Sequence, residues 1–193
     1  MDQPRRLVLA STSPYRRSLL ERLGLAFEVA SPQCDETALS GEAPQDTAAR
    51  LAVLKAKSLR FPDALVIGSD QVAFSQGKRL DKPGGHATAT RQLRTLSGKV
   101  AEFHTAVALL DAKNGSLQQQ VVACRVTFRK LDERTIEEYL RREQPYDCAG
   151  SAKAEGLGIA LIARIDTEDP TSLIGLPLIA LSEMLARAGL PVV

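Results

Sequence analysis

Leu7-Val8-Leu9-Ala10-Ser11-Thr12-Ser13-Pro14-Tyr15-Arg16-Arg17 decides the fold class. Its first four residues form a short apolar run, the mark of a buried strand. Ser11 to Pro14 break that run. Pro14 suits the first position of a helix and Ser13 the cap before it. Leu19, Leu20 and Leu23 then share one helical face, and Gly24 stops the helix. A buried strand running through small residues into a helix is the opening of an α/β fold.

The same logic carries outward along the chain. Phe27–Ala30 reads as a second short strand and 31–44 as a loop. A helix is expected over about 45–60, with Ala48, Leu51 and Leu54 on its inner face. Ala64–Gly68 reads as a buried strand ending at Ser69-Asp70, and Val72–Leu80 as a hairpin turning near Gln76-Gly77. Asp81–Gly85 is a loop and 86–96 a helix stopped at Gly98. Val100–Leu110 and Leu117–Phe128 are strands joined across Asn114-Gly115, a strong hairpin signal. Asp132 caps a charged helix over 133–143. Residues 144–158 are a loop of small residues, Gly158–Ile165 a strand, 166–176 a loop, and Pro177 starts a last helix that ends near Gly189. Strands and helices alternate with at least one antiparallel hairpin, so the fold class is α/β with a mixed sheet.

Composition narrows the function. The chain has 193 residues, enough for one domain or for two small lobes sharing a core. Hydrophobic residues are 44% and charged residues 25%, the balance of an ordinary globular protein. No apolar run approaches the ~18–20 residues of a membrane span, and Leu7–Ala10 is too short for a signal peptide. The expected setting is therefore the cytoplasm, with no membrane partner. A net charge of +2 and the absence of Trp argue against a nucleic-acid partner. Cys34, Cys124 and Cys148 are too widely spaced for a disulfide framework or a zinc site and read as small buried residues. His86 and His104 sit in no nucleophile motif, which excludes a Ser-His-Asp hydrolase.

Five places carry chemistry. The turn into the first helix offers backbone N–H groups, the hydroxyls of Ser11, Thr12 and Ser13, and Arg16 and Arg17. It is either an anion seat or a capped helix with solvated arginines. Asp70, after a buried strand, could bind a divalent cation, orient water or cap a turn. Asp35-Glu36 gain interest only if they meet Asp70, because hard cations take several oxygen ligands. Lys55, Lys82 and Lys153 are isolated cations. In Ala149–Gly156 the small residues allow close approach of a ligand, and Glu155 could accept hydrogen bonds from a base edge. Neither a Walker A nor a G-x-G-x-x-G pattern is present.

Taken together these segments resemble the Maf family of nucleoside triphosphate pyrophosphatases. The likeness runs through LASTSPYRR near the start, CDE at 34–36, LKAKS at 54–58, GSDQ at 68–71, DKP at 81–83, AGSAKAEGLG at 149–158 and TSLIGLP at 171–177. Within the family the chain is similar to the subgroup acting on 7-methyl-GTP, through Tyr15 (where that subgroup has Trp), Gln71 and Glu155. The dTTP and UTP subgroup has Arg, Thr and Gln at those places.

The resemblance implies one domain over 1–193. Its mixed twisted sheet would be flanked by helices, with two lobes around a central cleft, in a homodimer acting on a small-molecule nucleotide. It implies hydrolysis between the α and β phosphates. Asp70 would be the proton acceptor, Asp70 and Glu36 would hold Mg²⁺ or Mn²⁺, and Lys55 and Lys82 would neutralise leaving pyrophosphate. Ser11, Ser13, Arg16, Arg17 and Lys153 would bind substrate, and Tyr15, Gln71 and Glu155 would select the base. A 7-methylated guanine is cationic, so an aromatic face would attract it by roughly 0.5–2 kcal/mol, and Glu155 would offset its charge. The alternatives are the same chemistry on dTTP, UTP or other modified nucleotides, and a nucleotide-binding regulator without catalysis.

Overall fold

The computed structural model describes residues 3–193. Seven strands form one mixed sheet in the order β2-β1-β3-β5-β6-β7, with β4 paired to β3. The strands are β1 (Leu7–Ala10), β2 (Glu28–Ala30), β3 (Leu65–Ser75), β4 (Lys78–Leu80), β5 (Val100–Asp111), β6 (Leu117–Phe128) and β7 (Ile162–Thr167). The helices are α1 (Pro14–Glu21), α2 (Pro44–Lys57), α3 (His86–Leu96), α4 (Glu133–Glu143) and α5 (Leu178–Arg187). The described residues divide into two compact units: 3–71 with 105–122 and 169–193, and 72–104 with 123–168.

In the first unit β1 runs parallel to both β2 and β3. Leu7 faces Leu65 and Leu9 faces Ile67 across the ladder. With a two-residue period these four side chains share one face. Val107 and Leu109 of β5 join them in a core closed by Leu19 and Leu20 of α1 and Leu181, Met184 and Leu185 of α5. The opposite face takes α2, whose Ala48, Leu51, Ala52 and Ala56 are buried.

Gly68 sets how closely α2 approaches. A Cβ at Gly68 would lie 2.0 Å from the carbonyl oxygen of Ala52 and 2.7 Å from the nitrogen of Ala56, so backbone packs on backbone there.

The second unit packs α3 and α4 together. Ala89, Leu93 and Leu96 of α3 and Ile136, Tyr139 and Leu140 of α4 are buried, with Phe103, Val126, Phe128 and Leu161. β6 and β7 pair antiparallel with an irregularity at Thr127/Phe128. The β3–β4 hairpin turns on Gln76 (φ 50°) and Gly77 (φ 75°), the two left-handed residues a tight hairpin of this twist needs.

Several expectations change. The strand expected to end at Ser69-Asp70 runs on without a break to Ser75, so Asp70 lies inside a strand rather than beyond its end. Apolar Val72, Ala73 and Phe74 continue the ladder, and one carboxylate does not break it. Leu54 is exposed and Lys55 faces inward. The inner stripe is 48, 51, 52, 55, 56, the spacing of one helical face, which Leu54 misses. Residues 157–161 form a 3-10 turn instead of the start of a strand, and β7 begins at Ile162. Of the cysteines only Cys124 is buried, while Cys34 and Cys148 are half-buried.

Gly68→Ala should destabilise the protein by about 3 kcal/mol, at the upper end for overpacking, because the obstacle is backbone. That corresponds to a fall in Tm of roughly 6–12 °C for a chain of this size. A thermal melt within about 2 °C of wild type would show that α2 can move away freely.

Candidate functional site

β3 builds the site by simple alternation. Residues 65, 67, 69 and 71 face the α5 side, and 66, 68 and 70 face α2. Asp70 therefore projects toward the helix that Gly68 has drawn in. The Lys55 Nζ donates to Asp70 Oδ1 at 2.7 Å and lies 2.7 Å from Glu36 Oε2. Lys55 and Asp70 are buried, whereas the Glu36 side chain is half in solvent. One ammonium thus joins the acid of β3 to the acid of the loop after β2. Removing Lys55 would leave the buried Asp70 charge without its partner, which typically costs about 3–5 kcal/mol.

A second clip holds the Glu36 loop to α2. Arg50 Nε and Nη2 donate to Glu42 Oε1 and Oε2, each at 2.7 Å, and the Thr47 hydroxyl adds a bond of 2.9 Å. Arg50 Nη2 also donates to the Thr37 carbonyl at 3.2 Å. These bonds, led by that from Arg50, hold the Glu42 carboxyl at about 2, below its usual 4.5. Cys34, in the same loop, has its thiol pushed up by burial and by Glu36 and Asp70, against the pull of Lys55. It is a poor nucleophile.

The other face of β3 meets the segment 169–177. The Ser69 hydroxyl donates to the carbonyls of Ala106 (2.7 Å) and Gly175 (3.0 Å). Arg16 Nε donates to the same Gly175 oxygen at 2.8 Å. Gln71 Nε2 donates to Thr105 Oγ1 and to the carbonyls of Ser172 and Leu173 at 2.9–3.1 Å. Its amide nitrogen is thereby committed to holding this segment.

At the first helix the two arginines part ways. Arg16 is half-buried, and desolvation lowers its pKa while Asp70 and Glu36 oppose that shift. Its terminal nitrogens make no hydrogen bond to the described residues. Arg17 points outward and pairs with Glu21 at 3.0 Å on the exposed side of α1. Successive helical residues are about 100° apart, so the two side chains leave α1 in different directions. Ser13 Oγ caps the nitrogen of Arg16 at 3.4 Å, and the buried Ser11 Oγ accepts from the nitrogen of Ser13 at 3.1 Å. Each hydroxyl keeps its proton to donate. Tyr15 is half-buried in the first turn of α1.

The remaining candidates lie in the second unit. Lys82 is exposed and makes no ion pair with the described residues. Lys153 is tied down, its Nζ lying 2.9 Å from Glu143 Oε1 and its backbone N–H donating to the Tyr139 hydroxyl at 3.0 Å. Glu143 Oε2 accepts from the nitrogen of Leu157 at 2.6 Å. Burial would raise the Glu143 carboxyl, but the Leu157 N–H and Lys153 outweigh it and hold it below its usual range. A Cβ at Gly156 would lie 2.6 Å from Glu143 Oε2, so a side chain there would have to push this carboxylate aside. Glu155 projects from that mount with one side in solvent. Partial desolvation raises its pKa, opposed by a hydrogen bond from its own backbone and by Lys153, and reinforced by Glu143 and Asp147.

Sequence reasoning missed Glu143, Glu42 and Asp169. Glu143 ends a helix like any surface acid and gives no signal. Asp169 stands in Asp-Pro-Thr-Ser, a turn pattern that shows capping but not what is capped. Among the described residues no three His, Cys, Asp or Glu side chains gather to hold a metal. Glu36 and Asp70 nevertheless suit Mg²⁺ or Mn²⁺, since Mg²⁺ commonly takes one or two carboxylates and completes its shell with water and substrate phosphate. No helix of the described residues is long and apolar enough to cross a membrane.

Arg16 at the N-terminus of α1, together with Lys55 between Asp70 and Glu36, is a set of groups whose chemistry suits phosphate oxygens. The chain belongs to the Maf family: a model described as "Maf-like protein" matches residues 6–188. Among its relatives, a 7-methyl-GTP pyrophosphatase of Cupriavidus pinatubonensis is 55% identical over 188 residues, 96% of this chain and 94% of that one. Proteins of the same name from a Polaromonas species and from Albidiferax ferrireducens are 57% and 52% identical, covering 96% and 100% of this chain and 85% and 98% of theirs. Among solved structures, a HAM1 protein from Coxiella burnetii aligns at 14% identity with a TM-score of 0.48, covering 96% of this chain and 98% of that one.

The Glu42 clip has a pH signature. A carboxyl held below its unfolded value contributes its full stabilisation above about pH 4.5 and loses it as the pH falls toward about 2. Chemical denaturation midpoints should fall across that window, and Glu42→Gln should flatten part of the fall. Parallel curves for the two proteins would show that the clip carries no linkage.

Proposed function

We propose that this protein hydrolyses 7-methyl-GTP to 7-methyl-GMP and pyrophosphate. The observation that carries the chemistry is the single Lys55 ammonium joining Asp70 and Glu36 on the α2 face of β3. Support for the base comes from relatives of that name at 52–57% identity over nearly the whole chain. Tyr15, Gln71 and Glu155 add to it.

Arg16 offers its two terminal nitrogens to phosphate oxygens, with Ser11 and Ser13 hydroxyls and the α1 N-terminus beside it. Asp70 Oδ1 is engaged by Lys55, which leaves Oδ2 to accept a proton from water. As the water oxygen bonds to the α phosphorus, the bridging bond to the β phosphate breaks and pyrophosphate leaves with its electron pair. Lys55 offsets charge as that bond opens. Asp70 and Glu36 would hold a divalent cation, which when bound neutralises phosphate charge and makes water more acidic.

The roles of Lys82 toward pyrophosphate and of Lys153 toward substrate rest on the family likeness alone. Given its pairing with Glu143, Lys153 serves by holding the Glu155 loop. Arg17, paired outward, contributes long-range charge at most. Glu155 would accept from the guanine N1–H and exocyclic amine and offset the methylated ring's positive charge. Gln71 would act on base selection through the Ser172–Leu173 segment it holds. The family likeness also supports a single functional domain over 1–193, a homodimer and a cytoplasmic setting.

The decisive experiment is an initial-rate panel with Mg²⁺ or Mn²⁺ on 7-methyl-GTP, GTP, dTTP, UTP, CTP and ATP, resolving pyrophosphate from orthophosphate. Pyrophosphate chiefly from 7-methyl-GTP is expected. Chief release from dTTP or UTP would overturn the base assignment, and no metal-dependent release from any would leave a binding protein.

Asp70→Asn should lower kcat by at least about a hundredfold, as loss of a general base does, with the far-UV spectrum unchanged. Turnover within threefold of wild type, well short of the roughly hundredfold effect, would remove Asp70 from that role. Glu155→Gln should narrow the preference for 7-methyl-GTP over GTP in kcat/KM, and an unchanged ratio would dismiss its part in selection.

A further inference from the structure

Arg16 is held at one atom, and the hold is built far away in sequence. The Gly175 carbonyl that takes Arg16 Nε belongs to the segment 169–177 in front of α5. Pro177 at the cap position provides no side-chain cap for that helix. The caps come from upstream instead. Asp169 Oδ2 accepts from the nitrogen of Ile179 at 2.8 Å, and Thr171 Oγ1 accepts from the nitrogen of Leu178 at 2.8 Å. Asp169 Oδ1 accepts in turn from the nitrogen and hydroxyl of Thr171 at 2.9 and 2.6 Å. The Ser172 hydroxyl donates to the Asp169 carbonyl at 2.6 Å.

Asp169 is 2% exposed and Ser172 fully buried, so this clip is internal to the unit. It closes the segment into a loop fixed at both ends. At the far side of that loop Gly175, at φ 127°, turns its carbonyl toward Arg16 and Ser69. That backbone conformation favours glycine, and a Cβ there would meet Arg16 Nε at 3.6 Å. With Nε engaged, the planar guanidinium is fixed in direction and its two terminal nitrogens form a bidentate fork.

We propose that Asp169 is a positioning residue for phosphate recognition: through Thr171 and the start of α5 it fixes the Gly175 carbonyl, which aims the Arg16 fork. This rests on the reading of Arg16 as a phosphate ligand. Asp169 touches no phosphate and acts only through Arg16. An amide in its place presents a donor toward the Ile179 or Thr171 N–H, so the clip opens without a change of size.

The test is a double-mutant cycle on binding of inorganic tripolyphosphate with Mg²⁺, measured by calorimetry. Asp169→Asn should weaken binding about tenfold in the wild-type background, the size of losing a charge-assisted hydrogen bond. Combined with Arg16→Gln it should add less than about twofold, because the group it aims is gone. Equal weakening in both backgrounds would show a general structural effect and overturn the proposal, as would unchanged affinity in the single variant.

Thr171→Val and Thr171→Ser guard against misfolding. Valine removes the hydroxyl that holds Leu178 and should weaken binding in the same Arg16-dependent way, while serine should restore it. Normal affinity of the valine variant would overturn the proposal. Because tripolyphosphate has no base, the result is independent of which nucleotide is hydrolysed. If wild type fails to bind it, the phosphate seat itself falls, and the proposal with it.

Discussion

The two-residue period of β3 between Gly68 and Gln71 is the constraint on which the site depends. Four consecutive residues are dealt alternately to the two faces of a sheet. Gly68 and Asp70 go to α2, while Ser69 and Gln71 go to the segment before α5. The absent side chain at Gly68 brings α2 within backbone contact, and two residues later the carboxylate finds the lysine of that helix. Shifting the register by one residue would exchange the faces, putting a serine opposite Lys55 and a carboxylate against the carbonyls of Ser172 and Leu173. The chemistry and the packing are specified by the same four positions.

Charge is arranged around this frame in layers. Lys55 sits between two acids, so the buried carboxylate of Asp70 is neutralised before any ligand arrives. Arg16 stays a cation even where desolvation works against it, held by one carbonyl at Nε while its terminal nitrogens make no hydrogen bond to the described residues. Such a group gains most from an anion that restores what burial has taken away. The exposed pairs, such as Arg17 with Glu21, are screened by solvent and carry little of the fold's stability.

Much of the architecture was legible in the chain. Leu7–Ala10, the Pro14 helix start, the helix over 133–143 with its Asp132 cap and the turn at Gln76-Gly77 all follow from local signals. What was not legible depended on long-range partners. Lys55 looked like a surface lysine and Leu54 like core, because a helix shows which residues share a stripe but not where the stripe faces. The length of β3 was hidden by a charged residue that its partner helix neutralises. Gathering Arg16, Lys55, Asp70 and Glu36 as one site came from likeness across separated segments. The clips by Asp169, Glu42 and Glu143 join residues up to 14 positions apart, and no spacing rule marks them.

The seat beneath Glu155 separates two properties that loops usually mix. Glu143 holds the backbone at Leu157, binds Lys153 and places its carboxylate against Gly156. The path of the chain is therefore set largely by its neighbours, while residue 155 itself is exposed to solvent. The residue at 155 can be exchanged while Glu143 and Lys153 keep the mount in place, so this one position is free to vary independently of the path of its loop.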